Sequence, residues 1–268
     1  MKKYLCLFLI ICSLSIKTTA QKIGIKVVKY TDSNPFNSSR FPLLIGGNKN
    51  ITERINSYIS KNELDLDYKK ARKNIFEVLK RNENEMMGKH LGIDYEIHIL
   101  NDKFYSVMIS GEACGAYCEL HETRYNFDLT TGKKMNLKQL IKPNMVSTLI
   151  DTLTQIQKSM IKEARETADS ILKYQKLDSL EREYYTEMLE LYTDCPRFAF
   201  DLESIDYFGF YLTPKELVIT SDRCSAHYNR AVDEIGEFKF RLDYRKWNQF
   251  FSDYGKRVIN ACVTLKHL

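Results

Sequence analysis

Two cysteines and a histidine lie within eight residues of the chain, at Cys114, Cys118 and His121. Thiolate and imidazole groups are the ligands that zinc prefers, and two thiols at this spacing can also join in a disulfide. A second pair follows at Cys224 and His227, so a zinc set of all five side chains is one interpretation. The choice between zinc and disulfide depends on whether the chain matures in a reducing or an oxidising compartment.

The N-terminus predicts export. Lys2 and Lys3 precede an apolar run from Tyr4 to about Leu14, and small and polar residues then lead to Ala20. This pattern is typical of a secretory signal peptide cleaved near Ala20. The run is shorter than the roughly 20 residues that cross a bilayer. We therefore expect a periplasmic or extracellular product with no membrane span in the mature chain; an uncleaved N-terminal anchor is the alternative.

Export changes how the remaining cysteines are interpreted. The expected mature chain keeps Cys114, Cys118, Cys195, Cys224 and Cys262. In an oxidising compartment disulfides are favoured over zinc. Cys114 and Cys118 flank a three-residue loop between two predicted strands, where opposed residues lie about 4.5 to 5.5 Å apart, so a bridge between them is predicted. A Cys195–Cys224 bridge would close the next strand region, a Cys118–Cys224 bridge is the alternative, and Cys262 is left over.

Hydrophobic periodicity predicts an α+β fold. Alternating apolar residues predict strands over residues 22–30, 95–100, 104–110, 123–129, 207–213, 216–221 and 237–242. Apolar residues at helical spacing predict helices over residues 51–59, 64–87, 146–171 and 244–258, the third being one long helix or a pair. Because strand runs and helix runs are segregated, we expect antiparallel sheets with packed helices, and a long helical segment inserted between the two strand-rich regions.

Charge and motifs exclude several classes of function. The formal net charge of +5 falls to +2 once Lys2, Lys3 and Lys17 leave with the signal peptide. No concentrated basic footprint remains, so nucleic-acid binding is not predicted. The sequence has no G-x-S-x-G, H-E-x-x-H or glycine-rich phosphate loop. We therefore predict no catalytic residue, no cofactor and no metal.

Three segments carry a resemblance to a known family. They are Ser110-Gly-Glu-Ala-Cys-Gly-Ala-Tyr117, Tyr125-Asn-Phe-Asp-Leu-Thr-Thr-Gly-Lys133 and Leu137-Lys-Gln-Leu140. Together they resemble the extracytoplasmic domain of unknown function that occurs in lysozyme-sensing anti-sigma factors and beside peptidoglycan deacetylase domains. Where that family commonly has Gly-Gly-Ala-His, this chain has Cys-Gly-Ala-Tyr, so a tyrosine replaces the histidine.

The resemblance also implies a domain organisation. Phe41-Pro-Leu43 and the helix over residues 51–59 are similar to the smaller N-terminal partner domain of the same family. We therefore expect a signal peptide over residues 1–20, an N-terminal unit of one strand and helices over residues 21–92, and the α+β core domain over residues 93–268.

The function that the resemblance implies is recognition rather than catalysis. We expect an exported, non-catalytic module of the cell envelope that binds a glycan or a secreted protein such as lysozyme. Two loops, residues 111–122 and 222–230, each hold a cysteine and a tyrosine. The predicted binding residues are Glu112, Tyr117, Glu119, His121, Arg223, His227 and Tyr228. The alternatives are a metal-dependent or hydrolytic enzyme that acts on envelope material through the histidines and cysteines, and a structural subunit that associates through a helix over residues 145–192.

Overall fold

The computed structural model describes residues 22–30, 38–69, 75–76, 90–114, 118–198 and 205–264. The predicted signal peptide therefore lies outside the described residues, as does most of the predicted helix over residues 64–87. In the described part of the chain, no helix is long and apolar enough to cross a membrane.

The N-terminal elements are a β-hairpin and a helix. Strand β1 (Gly24–Tyr30) pairs antiparallel with β2 (Ser39–Ile45), and helix α1 (Lys49–Leu64) follows. The side chain of Asn48 caps the helix, since it accepts hydrogen bonds from the backbone N–H groups of Asn50 and Ile51. The helix ends at Asp65, whose φ of 50° is left-handed, so the helical prediction for the next few residues is wrong.

A four-stranded meander forms the centre of the molecule. Its strands are β3 (His90–Leu100), β4 (Phe104–Cys114), β5 (Cys118–Asp128) and β6 (Lys133–Lys134), each antiparallel to the next. The order β3-β4-β5-β6 confirms that the predicted strands of this region form an antiparallel sheet.

Helices then separate the two strand-rich regions, as predicted. After the short α2 (Leu137–Leu140), α3 (Val146–Tyr174) and α4 (Ser179–Phe198) pack against each other. The buried stripe of α3 includes Leu149 and Leu153, which lie within the predicted helix over residues 146–171. Residues 146–171 therefore form one long helix, which lies entirely within α3, and α4 is a second helix beyond that range.

The last region holds a second meander and a final helix. Strands β7 (Gly209–Leu212), β8 (Glu216–Ser221) and β9 (Phe238–Asp243) are antiparallel neighbours, and α5 (Asp253–Val263) follows. The predicted start of this helix at residue 244 is wrong, because the Ser252 side chain caps the helix at its actual beginning.

The central meander has a hydrophobic core on each side. One face packs with α1 and the β1–β2 hairpin around residues such as Phe41, Ile55 and Tyr105. The second core contains α3, α4, α5 and the β7–β9 sheet. Asn126 of β5 connects the central meander to the second sheet, because its side chain donates a hydrogen bond to the Phe210 carbonyl of β7 at 2.7 Å. The same side chain accepts a hydrogen bond from Ser106 of the neighbouring strand β4 at 2.7 Å. The α+β class is confirmed; the domain boundary at residue 92 stays a prediction.

Candidate binding site

The β4–β5 hairpin places Cys114 directly opposite Cys118 in the backbone register. Tyr117 lies outside the described residues, and so do the side chains of Cys114, Cys118 and Glu119. The Cys114–Cys118 bridge and the binding roles of Tyr117 and Glu119 therefore stay predictions.

The remaining hairpin residues divide between the two faces of the sheet. Glu112 pairs with Leu120, whose side chain is 78% exposed. His121 pairs with Gly111 one position along, so its side chain lies on the opposite face. A Cβ on Gly111 would come within 2.8 Å of the His121 ring, so the glycine leaves room for it. The structure therefore does not place Glu112 and His121 on one surface.

His121 instead approaches a buried carboxylate that the sequence analysis missed. Glu63 of α1 lies 3.7 Å from His121 (Oε2 to Nε2) and accepts a 2.5 Å hydrogen bond from the Tyr125 hydroxyl. Burial, with a smaller contribution from Glu63, raises the pKa of Tyr125 well above its ordinary value. The sequence pattern could have indicated that Glu63 is buried, because Glu63 continues the apolar stripe of Ile55 and Ile59 at a spacing of four.

On the other face, Arg124 joins β5 to the segment that precedes β9. Its guanidinium donates to both carboxylate oxygens of Glu237, at 2.8 and 2.6 Å, and to Glu122 at 2.6 Å. The Arg124 side chain is only 7% exposed and lies 5.8 Å from the ring centre of Tyr211. Arg124 therefore fixes the segment before β9 to the central sheet.

His98 is a buried titratable group in the same region. Its ring stacks on Tyr211 at 4.2 Å, and Nδ1 lies 3.3 Å from Glu96. The side chain is 8% exposed, and Nε2 has no hydrogen-bond partner among the residues that the structure describes. Burial lowers the pKa of His98, because it penalises the protonated ring more than neighbouring Glu96 favours it.

The lowered pKa of His98 predicts a loss of stability in mild acid. Below about pH 6.5 the unfolded chain binds a proton at His98 that the folded chain does not yet bind. The free energy of unfolding therefore decreases as the pH is lowered, until the pH reaches the pKa of His98 in the folded protein. We expect His98→Phe, which keeps the stacked ring, to remove up to about 1.4 kcal/mol per pH unit of this slope. Urea unfolding between about pH 5 and 7 measures it. Identical slopes for the wild type and His98→Phe would contradict the assignment.

The second predicted loop lines a cavity of about 700 Å³ between α4 and residues 224–229. We call this cavity the α4 groove. Its lining includes Glu187, Glu190, Asp194, Cys224, Tyr228 and Asn229. Tyr228 is 87% exposed, so the groove is lined in part by a large aromatic residue that is open to solvent. The described lining contains no residue of the β4–β5 hairpin.

A disulfide fixes one wall of the α4 groove to the other. Cys195 of α4, which is fully buried, is bonded to Cys224. Cys224 is therefore not available as a thiolate for the zinc alternative, nor for a bridge to Cys118. Cys262 is a free and buried thiol, as the sequence analysis expected. Among the residues that the structure describes, no three His, Cys, Asp or Glu side chains are grouped as a metal site.

Buried Asp233 holds the loop in shape. Its carboxylate accepts hydrogen bonds from the Tyr192 hydroxyl at 3.0 Å and from the backbone N–H groups of Ser225 at 3.2 Å and Gly236 at 2.9 Å. The Tyr192 hydroxyl also accepts from Ile235 at 2.9 Å. Because Asp233 and Tyr192 are buried, this network joins Ser225 and the segment 233–236 to α4.

The other predicted residues of this loop have different positions. Arg223 lies beside Gly236, where a Cβ would be 3.8 Å from its guanidinium. The side chain of His227 lies outside the described residues. The three acidic residues of the groove were missed, although Glu187, Glu190 and Asp194 follow the helical spacing of three and four that places them on one face.

Comparison with known proteins finds solved structures that are similar to this chain, but no match to a family model or to a curated protein. A member of the DUF3298 family from Bacteroides fragilis NCTC 9343 is similar in structure, with a TM-score of 0.48 and 10% identity over 91% of this chain and 98% of that one. A DUF3298 family protein from Pseudomonas aeruginosa PAO1 has a TM-score of 0.46 and 8% identity over 88% of this chain and 96% of that one.

Proposed function

We propose that the protein is an exported, non-catalytic recognition module of the cell envelope, which binds an envelope glycan or a secreted protein such as lysozyme. The N-terminal signal-peptide pattern supports export. The bond between Cys195 and Cys224 supports it as well, because structural disulfides persist mainly in oxidising compartments.

The observation that carries the proposal is the α4 groove with Tyr228 at its edge. Ligand sites are concave, are largely formed before the ligand arrives, and combine aromatic surface with a few polar groups. The groove has about 700 Å³ of space, carboxylates along α4 and a tyrosine that is 87% exposed. Tyrosine offers a large apolar contact area and a polar hydroxyl, a combination that suits both sugar rings and protein surfaces.

The β4–β5 hairpin offers a second contact surface. Leu120 is 78% exposed and lies opposite Glu112 in the register. An exposed leucine beside a carboxylate gives apolar contact next to a hydrogen-bond acceptor. We assign the hairpin a supporting role, since the groove offers the larger enclosed surface.

Replacing Tyr228 with alanine should reduce retention on the ligand by about tenfold, which corresponds to about 1.4 kcal/mol and is the loss expected of a tyrosine that acts as an interface anchor. Protein exported from the full chain is passed over insoluble peptidoglycan and over immobilised lysozyme, and the bound fraction is measured. Tyr174→Ala is the matched control, since Tyr174 is equally open to solvent at 83% exposure but does not line the groove.

Two results would count against this function. If the wild-type protein is retained by neither peptidoglycan nor lysozyme, the proposed recognition of these ligands is wrong. If the wild type is retained and the Tyr228 and Tyr174 variants bind equally well, the groove is not the binding site.

A further inference from the structure

The hydrogen-bond pattern of the central meander fixes which backbone groups of β5 point away from β4. In an antiparallel ladder, successive residues bond alternately to the strand on one side and to the strand on the other. The Leu129 N–H group donates to the Lys103 carbonyl at 2.7 Å and continues the β4–β5 ladder, so the odd-numbered residues of β5 bond to β4. The Met135 N–H group donates to the Asn126 carbonyl at 2.7 Å, so the even-numbered residues face the other side. Between residue 119 and Asn126, the outward groups therefore belong to Leu120, Glu122 and Arg124.

The outer side of β5 is open over residues 120–124, which we call the β5 edge. Strand β6 covers only the end of β5, because it is two residues long and the chain turns at Asn136 to begin α2. Within the described part of the chain, no hydrogen bond reaches the outward N–H and C=O groups of the β5 edge. Leu120 is 78% exposed and the Glu122 side chain is 41% exposed, so the β5 edge faces solvent.

The β5 edge is a regular template for another strand. Proteins protect open edges with prolines, bulges, lysines or covering elements, because unpaired N–H and C=O groups can pair with a further chain. The register of β4 with β5 has no shift along its length, and residues 120–124 contain no proline and no lysine. The opposite edge differs, because β3 has two register shifts and the Ile93 N–H group donates to the Ser39 side chain of β2.

The face of the meander beside the β5 edge carries an excess of negative charge. Alternate residues of a strand and their cross-strand partners share one face. The charged residues of the three long strands on this face are Asp94, Glu96, Glu112, Glu122 and Arg124. Arg40 neutralises Asp94, and Arg124 is bonded to Glu237 as well as to Glu122. Because the carboxylates outnumber the cations, a strand with a lysine or arginine complements this face.

A second copy of this chain is a poorer complement than a basic peptide. An antiparallel pair of two β5 edges that uses residues 120–124 of both copies places two copies of Glu122 opposite each other, and like charges in that position are destabilising. A shift that brings Glu122 opposite Arg124 also brings Leu120 opposite Asn126, whose carbonyl is already bonded to β6.

We propose that the β5 edge binds an extended basic peptide, which adds to the central meander as an antiparallel strand in line with β6. Backbone hydrogen bonds supply the affinity in this mode of recognition, and side chains at alternate positions supply the specificity. A lysine or arginine of the peptide lies opposite Glu122, and an apolar residue lies opposite Leu120. This inference goes beyond the proposed function, because the peptide occupies a different surface from the α4 groove.

Capped heptapeptides test the charge preference. The probes carry lysine at the fourth position and threonine, valine or isoleucine at the other positions, and the control set carries glutamate at the fourth position. Binding of labelled peptides to the exported protein is measured by fluorescence polarisation. We expect at least one lysine peptide to bind at least about tenfold more tightly than its glutamate counterpart, because the charge opposite Glu122 changes sign.

Backbone methylation tests the strand addition itself. In an antiparallel strand with its lysine opposite Glu122, the N–H groups of the fourth and sixth peptide residues face β5, and those of the third and fifth face solvent. Methylation of the fourth and sixth nitrogens should weaken binding at least about tenfold, because two hydrogen bonds to the β5 edge are lost. The isomer methylated on the third and fifth nitrogens keeps the same side chains and should bind within about threefold of the parent peptide.

Amide hydrogen exchange, followed by NMR, locates the bound peptide. In the free protein the N–H groups of Thr123 and Tyr125 are bonded to β4 and should exchange slowly, whereas those of Glu122 and Arg124 should exchange fast. A saturating concentration of the lysine peptide should slow the exchange at Glu122 and Arg124 at least about tenfold.

A proline variant locates the binding from the side of the protein. Leu120→Pro removes one outward N–H group and leaves the β4–β5 ladder intact, which is the position in a sheet that tolerates proline. We expect Leu120→Pro to bind the lysine peptide at least about fivefold more weakly than Leu120→Ala, which keeps the N–H group.

Four results would overturn the inference. They are failure of every lysine peptide to bind, equal binding of the two methylated isomers, fast exchange at Glu122 and Arg124 with saturating peptide, and protection of these amides that rises with the concentration of free protein. The last result would assign the β5 edge to a second copy of the chain. None of these measurements uses peptidoglycan or lysozyme, so the proposed function of the α4 groove is tested separately.

Discussion

Replacing Cys195 and Cys224 with alanine should lower the free energy of unfolding by about 3 to 4 kcal/mol, because the bond closes a loop with a sequence separation of 29 residues. The cross-link restricts the unfolded chain, and its loss also leaves a small space at the fully buried Cys195. The same change should weaken ligand binding, since Cys224 lines the α4 groove and the bond fixes the loop to α4. Guanidinium unfolding gives the stability, and retention on the ligand gives the binding.

Cys262→Ala is the matched control for this change. Cys262 is as deeply buried as Cys195 but is a free thiol, so its replacement removes a core sulfur atom and no cross-link. Burial raises the pKa of the Cys262 thiol to about 12, so it stays protonated and should not react with thiol reagents in the folded protein. We expect a clearly smaller loss of stability than in the double variant. Equal losses in the two variants would show that the cross-link itself contributes little.

Periodicity predicted the fold well because each element buries one face. The alternation through β4 and β5 and the apolar spacing of three and four in α3 follow directly from contact with a core on one side. The ends of helices were predicted less well. At Asp65 and at Ser252 single residues decide where a helix ends or begins, and their effect depends on local backbone geometry rather than on hydrophobic spacing.

The candidate site was predicted only in part, because the two faces of a strand separate neighbours in sequence. Glu112 and His121 belong to one predicted loop, yet the strand alternation turns them to opposite sides of the sheet. The groove instead pairs Tyr228 with carboxylates of α4, which lie more than 30 residues earlier in the chain. Such a pairing depends on the packing of α4 against the loop, and sequence spacing carries no information about it.

The buried cluster at Glu63 shows the opposite case, where the sequence held a usable signal. A carboxylate on an otherwise apolar helical stripe must find partners, because an unpaired buried charge is too costly. Tyr125 and His121 are those partners. This explains why His121, which the sequence suggested as a binding residue, lies beside α1.

Replacing Arg124 with alanine should lower the free energy of unfolding by about 2 to 3 kcal/mol, which is below the full cost of breaking a buried ion pair because Glu237 is 25% exposed. Arg40 provides a matched comparison, since it also forms a two-point ion pair, with Asp94, and lies 5.6 Å from a tyrosine ring centre. The Arg40 and Asp94 side chains are 52% and 46% exposed, so Arg40→Ala should cause a much smaller loss. Urea unfolding of both variants measures the difference. Equal losses would show that burial does not strengthen the Arg124 contacts, and that the loop before β9 is held by other interactions.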